Sequence, residues 1–356
     1  MLDFNALMGE VIKSGSPDLH LHVGQYPIVR LKTGDIAAIS NYPILTKQDI
    51  NEVINKITNE DQRKIFEAKH EYDFSFSIEN FGRFRVNIYQ ERFGSACAFR
   101  VITQEIPTLT DIGLGQSIEK LLQFHNGLIL VTGPTGCGKS TTLAAMIDYV
   151  NEHRQAHIIT IEDPIEYVYK SKNCLITQRE VTVHTKSFDS AIRSALRQDP
   201  DVVLVGEMRD LETIAAAITL AETGHLVFST LHTQDAPQTI DRIIDVFPAD
   251  QQQQIRTQLG GTLNAVISQI LLPRISGEGR VAAREIMINN DAIRNCITKN
   301  QTNQIYSMIQ IGANEGMILM DQSLEDLVRE GIITKEDAFS KANDVDSLMT
   351  KLEDVT

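Results

Sequence analysis

Apolar and polar positions change rhythm about a third of the way along this chain. Residues 2–14 carry apolar side chains at helical spacing, and the turn Gly15-Ser16-Pro17 follows. Leu19, Leu21 and Val23 then alternate with His20 and His22, which predicts a half-buried strand. Residues 46–68 predict one helix with an acidic start at Asp49 and Glu52. Residues 72–78, 82–90 and 96–102 predict three strands at hairpin spacing, and 107–115 reads as a linker. From Ile118 onward the order becomes strand, helix, strand, the signature of a mostly parallel sheet. Strands are expected at 128–132, 157–161, 175–178, 202–206 and 225–230, with helices at 140–153, 188–197 and 211–223. After Pro237 the pattern is largely helical to the end, with one strand at 280–286. The expected organisation is an α+β domain over 1–110, a linker over 111–117 and an α/β domain over 118–356.

The junction of the first parallel strand with its helix carries the strongest chemical signal. The run Leu128-Ile129-Leu130-Val131 delivers the chain to Gly133-Pro134-Thr135-Gly136-Cys137-Gly138-Lys139-Ser140-Thr141. This is G-x-x-x-x-G-K-S between a buried strand and a helix, the setting a phosphate-binding loop requires. Glycines let backbone N–H groups converge on phosphate oxygens, and the helix N-terminus adds partial positive charge. Lys139 is expected to reach the β- and γ-phosphates, and the Ser140 hydroxyl to ligate Mg²⁺. The chain is expected to bind a nucleoside triphosphate.

Other candidates take their meaning from that loop. Val202-Val203-Leu204-Val205-Gly206-Glu207 is an apolar strand ending in an acid, where a carboxylate completes a Mg²⁺ shell or its water ligands. Glu162, Asp163 and Glu166 crowd three carboxylates into five residues, a cost that a metal or a water awaiting deprotonation would justify. His232 closes a strand among hydroxyls, where it can sense a γ-phosphate or bridge to Glu207; His225 opens the same strand and is equally a structural candidate. Arg83, Arg85, Arg92 and Arg100 form a basic cluster on neighbouring strand-like segments, with Arg85 and Arg100 best placed to neutralise charge developing on a γ-phosphate. A solvated strand face is the ordinary alternative. His20 and His22 beside Asp18 lack further ligands at metal spacing, so they read as structural.

Composition narrows the class without changing it. At 356 residues the chain can build two domains, and 42% hydrophobic with 22% charged residues is ordinary for a globular protein. A net charge of −14 argues against a surface that wraps nucleic acid. Cys97, Cys137, Cys174 and Cys296 lie far apart with no C-x-x-C pair, so neither a zinc site nor a disulfide framework is expected. No apolar run is long enough to span a bilayer, and the start lacks a signal-peptide pattern; a cytoplasmic protein is expected.

Four boxes together resemble those of the bacterial secretion and type IV pilus ATPases: 133–141, Thr160-Ile161-Glu162-Asp163-Pro164-Ile165-Glu166-Tyr167, Leu204-Val205-Gly206-Glu207-Met208-Arg209-Asp210, and residues 222–233. The likeness runs from Ser16-Pro17-Asp18-Leu19-His20-Leu21 through Gly279-Arg280-Val281-Ala282-Ala283-Arg284-Glu285-Ile286. Ala292-Ile293-Arg294-Asn295-Cys296-Ile297 resembles the C-terminal motif of the branch that withdraws the fibre in twitching motility. The resemblance implies a PAS-like first domain, a RecA-like second domain with a helical extension from about 289, and a homohexamer hydrolysing ATP with Mg²⁺. It also implies a place at the cytoplasmic base of the pilus machine, against an inner-membrane platform protein, with no nucleic acid as partner. Glu166 then becomes the candidate for activating water, Glu207 the support of the metal, and His232 the link between nucleotide state and domain position. An assembly or secretion ATPase of the same family and a phosphate-loop kinase are the alternatives. Cys137 stands where the family usually has serine, and beside Lys139 and a helix N-terminus an accessible thiol is expected to have a lowered pKa and to react with alkylating reagents. Cys296 replaces a leucine of the C-terminal motif, with function expected to survive.

Overall fold

The computed structural model describes residues 2–31, 34–78, 82–102, 105–277 and 279–353. The chain divides into two compact units, Met1–Glu105 with Glu166–Val168, and Ile106–Ile165 with Tyr169–Thr356.

The first unit begins with helix α1 (Phe4–Ser14), which Asp3 caps and the left-handed Gly15 ends. Strands β1 (Asp18–Leu21), β2 (Ile28–Arg30) and β3 (Ile36–Ala38) follow, then helices α2 (Lys47–Ile57) and α3 (Glu60–Lys69). Strands β4 (Glu71–Ile78), β5 (Gly82–Glu91) and β6 (Gly94–Ile102) complete an antiparallel sheet of order β3-β2-β1-β6-β5-β4. Alternation on β5 sends Phe84, Val86 and Ile88 into a core with Leu7, Val11, Ile50, Val53, Phe66 and Phe99, and leaves Arg85 exposed. The single helix expected over 46–68 is two helices. Thr46 and Asp49 form one capping box, Thr58 turns extended while its hydroxyl bonds Ile54 O at 2.6 Å, and Asn59 with Gln62 forms a second box. Two start signals thirteen residues apart override a continuous apolar period. Strands β2 and β3, three residues each, were too short to register as alternation.

The second unit opens on turns over 107–115, where Asp111 Oδ2 accepts from Thr108 N and Oγ1 at 2.9 and 2.7 Å. Helix α4 (Gln116–Leu121) leads to β7 (Gly127–Thr132), α5 (Lys139–His153), β8 (His157–Glu162), β9 (Leu175–Glu180), α6 (Phe188–Ala195), β10 (Val202–Val205), α7 (Leu211–Glu222) and β11 (Leu226–Leu231). Helices α8 (Ala236–Asp245) and α9 (Gln252–Thr262) precede β12 (Leu263–Pro273) and β13 (Arg280–Ile288). The sheet order is β13-β12-β7-β11-β10-β8-β9, parallel throughout except for the edge strand β13. β7, β10 and β11 are buried at every position, as central parallel strands covered by helices on both faces must be. This is the RecA-like arrangement, with β7 seated between β11 and β12.

Strand β12 corrects the expectation of a helical tail with one strand. Ala265-Val266-Ile267-Ser268-Gln269-Ile270-Leu271 is an apolar run whose period alone does not separate a buried strand from a buried helix; the β-branched side chains and the terminal Pro273 favour the strand. The remainder is helical: α10 (Asp291–Thr298), α11 (Ile305–Ile311), α12 (Met320–Arg329), α13 (Lys335–Phe339) and α14 (Val345–Lys351), with short 3₁₀ turns between. Ile293, Cys296 and Ile297 of α10 enter the central core, while Ala292, Arg294 and Asn295 face outward. Cys296 therefore fills an interior position that the longer leucine would also fill. Among the described residues no helix is long and apolar enough to cross a membrane.

Candidate active site

The loop between β7 and α5 is shaped by three glycines in the left-handed half of backbone space, Gly133 (φ 135°), Gly136 (φ 78°) and Gly138 (φ 89°). At Gly133 the constraint is also steric, because a Cβ there would stand 2.2 Å from the Gln269 carbonyl oxygen. Gly138 stands at the N-cap of α5, whose start holds neither a side-chain cap nor an acid, so its N-terminal N–H groups are left for an anion. Lys139 folds back over the loop and donates from Nζ to Gly133 O at 2.7 Å and Pro134 O at 3.2 Å. Burial lowers its pKa, and the charge of Glu207 works the other way. Ser140 is exposed and Thr141 half-buried.

Two neighbouring strands complete the cluster. Glu207 follows β10 through Gly206, whose N–H donates to Ile161 O at 2.8 Å, and Thr230 Oγ1 of β11 donates to Gly206 O at 2.7 Å. Glu207 Oε1 accepts from Arg209 Nε and, at 3.1 Å, from His232 Nε2. The bridge from His232 to Glu207 considered from sequence is therefore present. Lys139, Glu207 and His232 meet beyond the carboxyl ends of β7, β10 and β11, where parallel sheets place their ligands. Glu162, at the tip of β8, is buried and accepts from Thr160 Oγ1 at 2.6 Å.

The loop is flanked by two cavities. One of about 540 Å³ is lined by Gly138, Thr141, Thr142, Leu271 and Arg284, and one of about 610 Å³ by Pro134, Thr135, Gly136, Gln234, Lys341 and Asn343. Arg284 is buried in the first, which pushes its guanidinium down to about 10.

The remaining sequence candidates fall in three groups. Arg85 and Arg100 lie in the first unit, directly opposite each other on β5 and β6, both exposed. Arg100 Nε donates to Asp18 Oδ1 at 2.8 Å, and that bond is the main cause of its raised pKa; the charge of Glu166, which groups with the same unit, adds to it. His225 is held structurally, its Nδ1 3.0 Å from Leu220 O, and His22 sits 3.3 Å from Tyr89 Oη. Among the described residues no three His, Cys, Asp or Glu side chains form a metal cluster. Cys137 departs from expectation: it is buried beneath the loop, and burial pushes its thiol up despite the nearby Lys139. The accessibility on which a lowered pKa depended is not met at this position.

Sequence reasoning missed Gln269 and Glu285. Gln269 Nε2 donates to Cys137 O at 2.6 Å and its Oε1 accepts from Thr142 Oγ1 at 2.8 Å; it lay hidden inside the unrecognised strand. Glu285 is fully buried on β13, where Oε1 accepts from Ala236 N at 2.9 Å. Burial foremost, with the charges of Asp235 and Asp321, pushes its pKa up to about 7. The folded chain thus keeps a proton that the unfolded chain releases near pH 4.5, so stability contributed here is present below that pH and is lost as pH rises through about 7. Glu285→Gln is expected to flatten this slope, removing up to about 3 kcal/mol of the stability difference between pH 4.5 and 8 in urea unfolding. Parallel pH profiles for the variant and the natural chain would contradict it.

The model of the family described as type II/IV secretion system protein matches residues 2–353. The type IV pilus retractation ATPase PilT of Pseudomonas aeruginosa is 50% identical over 341 residues, which span 96% of this chain and 98% of that protein. A twitching motility protein of Neisseria gonorrhoeae is 50% identical over 322 residues, 90% of this chain and 86% of that one. A crystal structure of the pilus retraction motor PilT with bound ADP superposes with a TM-score of 0.93 at 47% identity, covering 98% of this chain and 100% of the other.

Proposed function

The chain belongs to the type II/IV secretion system protein family, and on that premise we propose that it is a motor ATPase that retracts a type IV pilus. The observation that carries this reading is the meeting of Lys139, Glu207 and His232 around a glycine loop, in a chain that matches a retraction ATPase from end to end. Residues 133–141 hold the phosphates, with Lys139 exchanging the carbonyls of Gly133 and Pro134 for phosphate oxygens. The Ser140 hydroxyl and Glu207 carboxylate are hard oxygen donors suited to Mg²⁺, which when bound would offset charge on the β- and γ-phosphates. Glu166 accepts the proton of the water that attacks the γ-phosphorus, and ADP leaves. Arg85 and Arg100 neutralise charge developing on the transferred group. His232, through Glu207, reports the state of the phosphate to the rest of the molecule.

Six copies form the working ring, on the cytoplasmic side of the inner membrane against a platform protein. Residues 1–110 are assigned to the PAS-like domain, 111–117 to a linker and 118–356 to the RecA-like domain. Of the C-terminal motif, Ala292, Arg294 and Asn295 are the outward residues available to a partner. The chemistry is tested by phosphate release from ATP in buffer without any acceptor, using the natural chain and Glu166→Gln. Release by the natural chain, with retained nucleotide binding but at least about a hundredfold slower release in the variant, is expected. Release that requires an added acceptor would identify a kinase instead.

A further inference from the structure

Two side-chain hydrogen bonds and one close backbone approach single out Gln269 of β12. Its position follows directly on Ser268, which pairs with Thr132 at the end of β7, so it stands where the phosphate loop departs from the sheet. Gly133 passes so close to its carbonyl oxygen that a Cβ would stand 2.2 Å away, and a Cβ on Gly138 would stand 3.2 Å from its Nε2. The side chain is 1% exposed and spends its amide on both ends of the turn. Cys137 offers only a carbonyl oxygen, which fixes Nε2 as the donor there at 2.6 Å; Oε1 is thereby turned to Thr142, whose hydroxyl donates at 2.8 Å. One amide thus ties the loop to the first turn of α5 and both to the neighbouring strand.

We infer that Gln269 is a positioning residue that holds the phosphate loop in its anion-binding shape, acting through the loop and not on the nucleotide. A loop with glycines at 133, 136 and 138 is costly to order, because glycine loses more backbone freedom than any other residue. A buried amide that orders it beforehand removes that cost from the binding step. The Cys137 thiol lies within the same turn: Sγ stands 2.8 Å from where a Cβ on Gly133 would be, and the residue is buried, so loosening the loop is what would expose it. The affinity part of the inference rests on the nucleotide reading above. The closure of the loop does not.

The test uses the full-length chain and two variants, Gln269→Met, which keeps length and removes both hydrogen bonds, and Thr142→Val, which removes one. Iodoacetamide labelling is mapped to each cysteine by mass spectrometry, ADP is titrated calorimetrically, and KM and kcat for ATP are measured. Gln269→Met is expected to speed labelling of Cys137 about tenfold while Cys97, Cys174 and Cys296, all buried elsewhere, keep their rates. It is expected to weaken ADP by about tenfold and to raise KM more than it lowers kcat. Thr142→Val should move the same readings in the same direction by less. Unchanged labelling of Cys137 in Gln269→Met would overturn the clamp, and so would all four thiols opening together, which reports loss of the fold. If the natural chain takes up no ADP, the nucleotide reading fails, and the labelling alone decides the clamp.

Discussion

Lys139→Ala lowers acceptor-free phosphate release by about a hundredfold or more and leaves the fold intact. Lys139 opens α5 and bonds the loop's own carbonyls at 2.7 and 3.2 Å, so on the proposed reading its ammonium stands where phosphate oxygens would arrive. In the loose transition state charge redistributes over the transferred group and toward the leaving oxygen of ADP, and a fixed cation there acts on the barrier more than on ground-state binding. The ammonium is half-buried at a desolvation cost, so its removal leaves stability nearly unchanged. Phosphate release checked beside a thermal melt separates the two effects. Turnover within a few fold of the natural chain would show that the loop is not the site of chemistry.

Gly133→Ala is expected to be the most damaging single methyl in the unit, and Gly136→Ala a mild change three residues away. At 133 a left-handed φ of 135° coincides with a Cβ 2.2 Å from backbone, which cannot turn aside. Conformational strain and overpacking together cost about 3 kcal/mol or more, and the loop must leave Gln269 to relieve them. At 136 the φ is 78° with nothing within 4 Å, so only the strain of about 1 kcal/mol remains. Urea unfolding and nucleotide titration of the two variants should separate them clearly. Equal losses would mean that backbone conformation alone, and not the approach to β12, shapes the loop.

The parallel unit was readable because its signals are local. The alternation of strand and helix, the apolar run before Gly133 and the acid after Val205 each sit within a few residues of one another. The loop, Glu207 and His232 were reached from spacing alone, and the contact between the last two is present at 3.1 Å. What escaped was nonlocal. Residues 263–273 form a strand because β7 and β13 flank them, and an apolar run buried on both faces keeps no period that distinguishes it from a helix. Gln269 vanished with that strand, since its partners Cys137 and Thr142 lie more than a hundred residues away. Cys137 was misjudged for a related reason: its neighbours in sequence promise a thiolate, but its neighbours in space exclude water, and burial prevails. The break at Thr58 is written locally, as a second capping box at Asn59 and Gln62, but the apolar period runs on through it and masks the boundary.

Retraction is tested most directly by counting surface pili on cells whose chromosomal copy of this gene carries Lys139→Ala. A motor that withdraws the fibre predicts an excess of pili on cells that no longer twitch. Bald cells would contradict it and assign the chain to assembly or secretion within the same family.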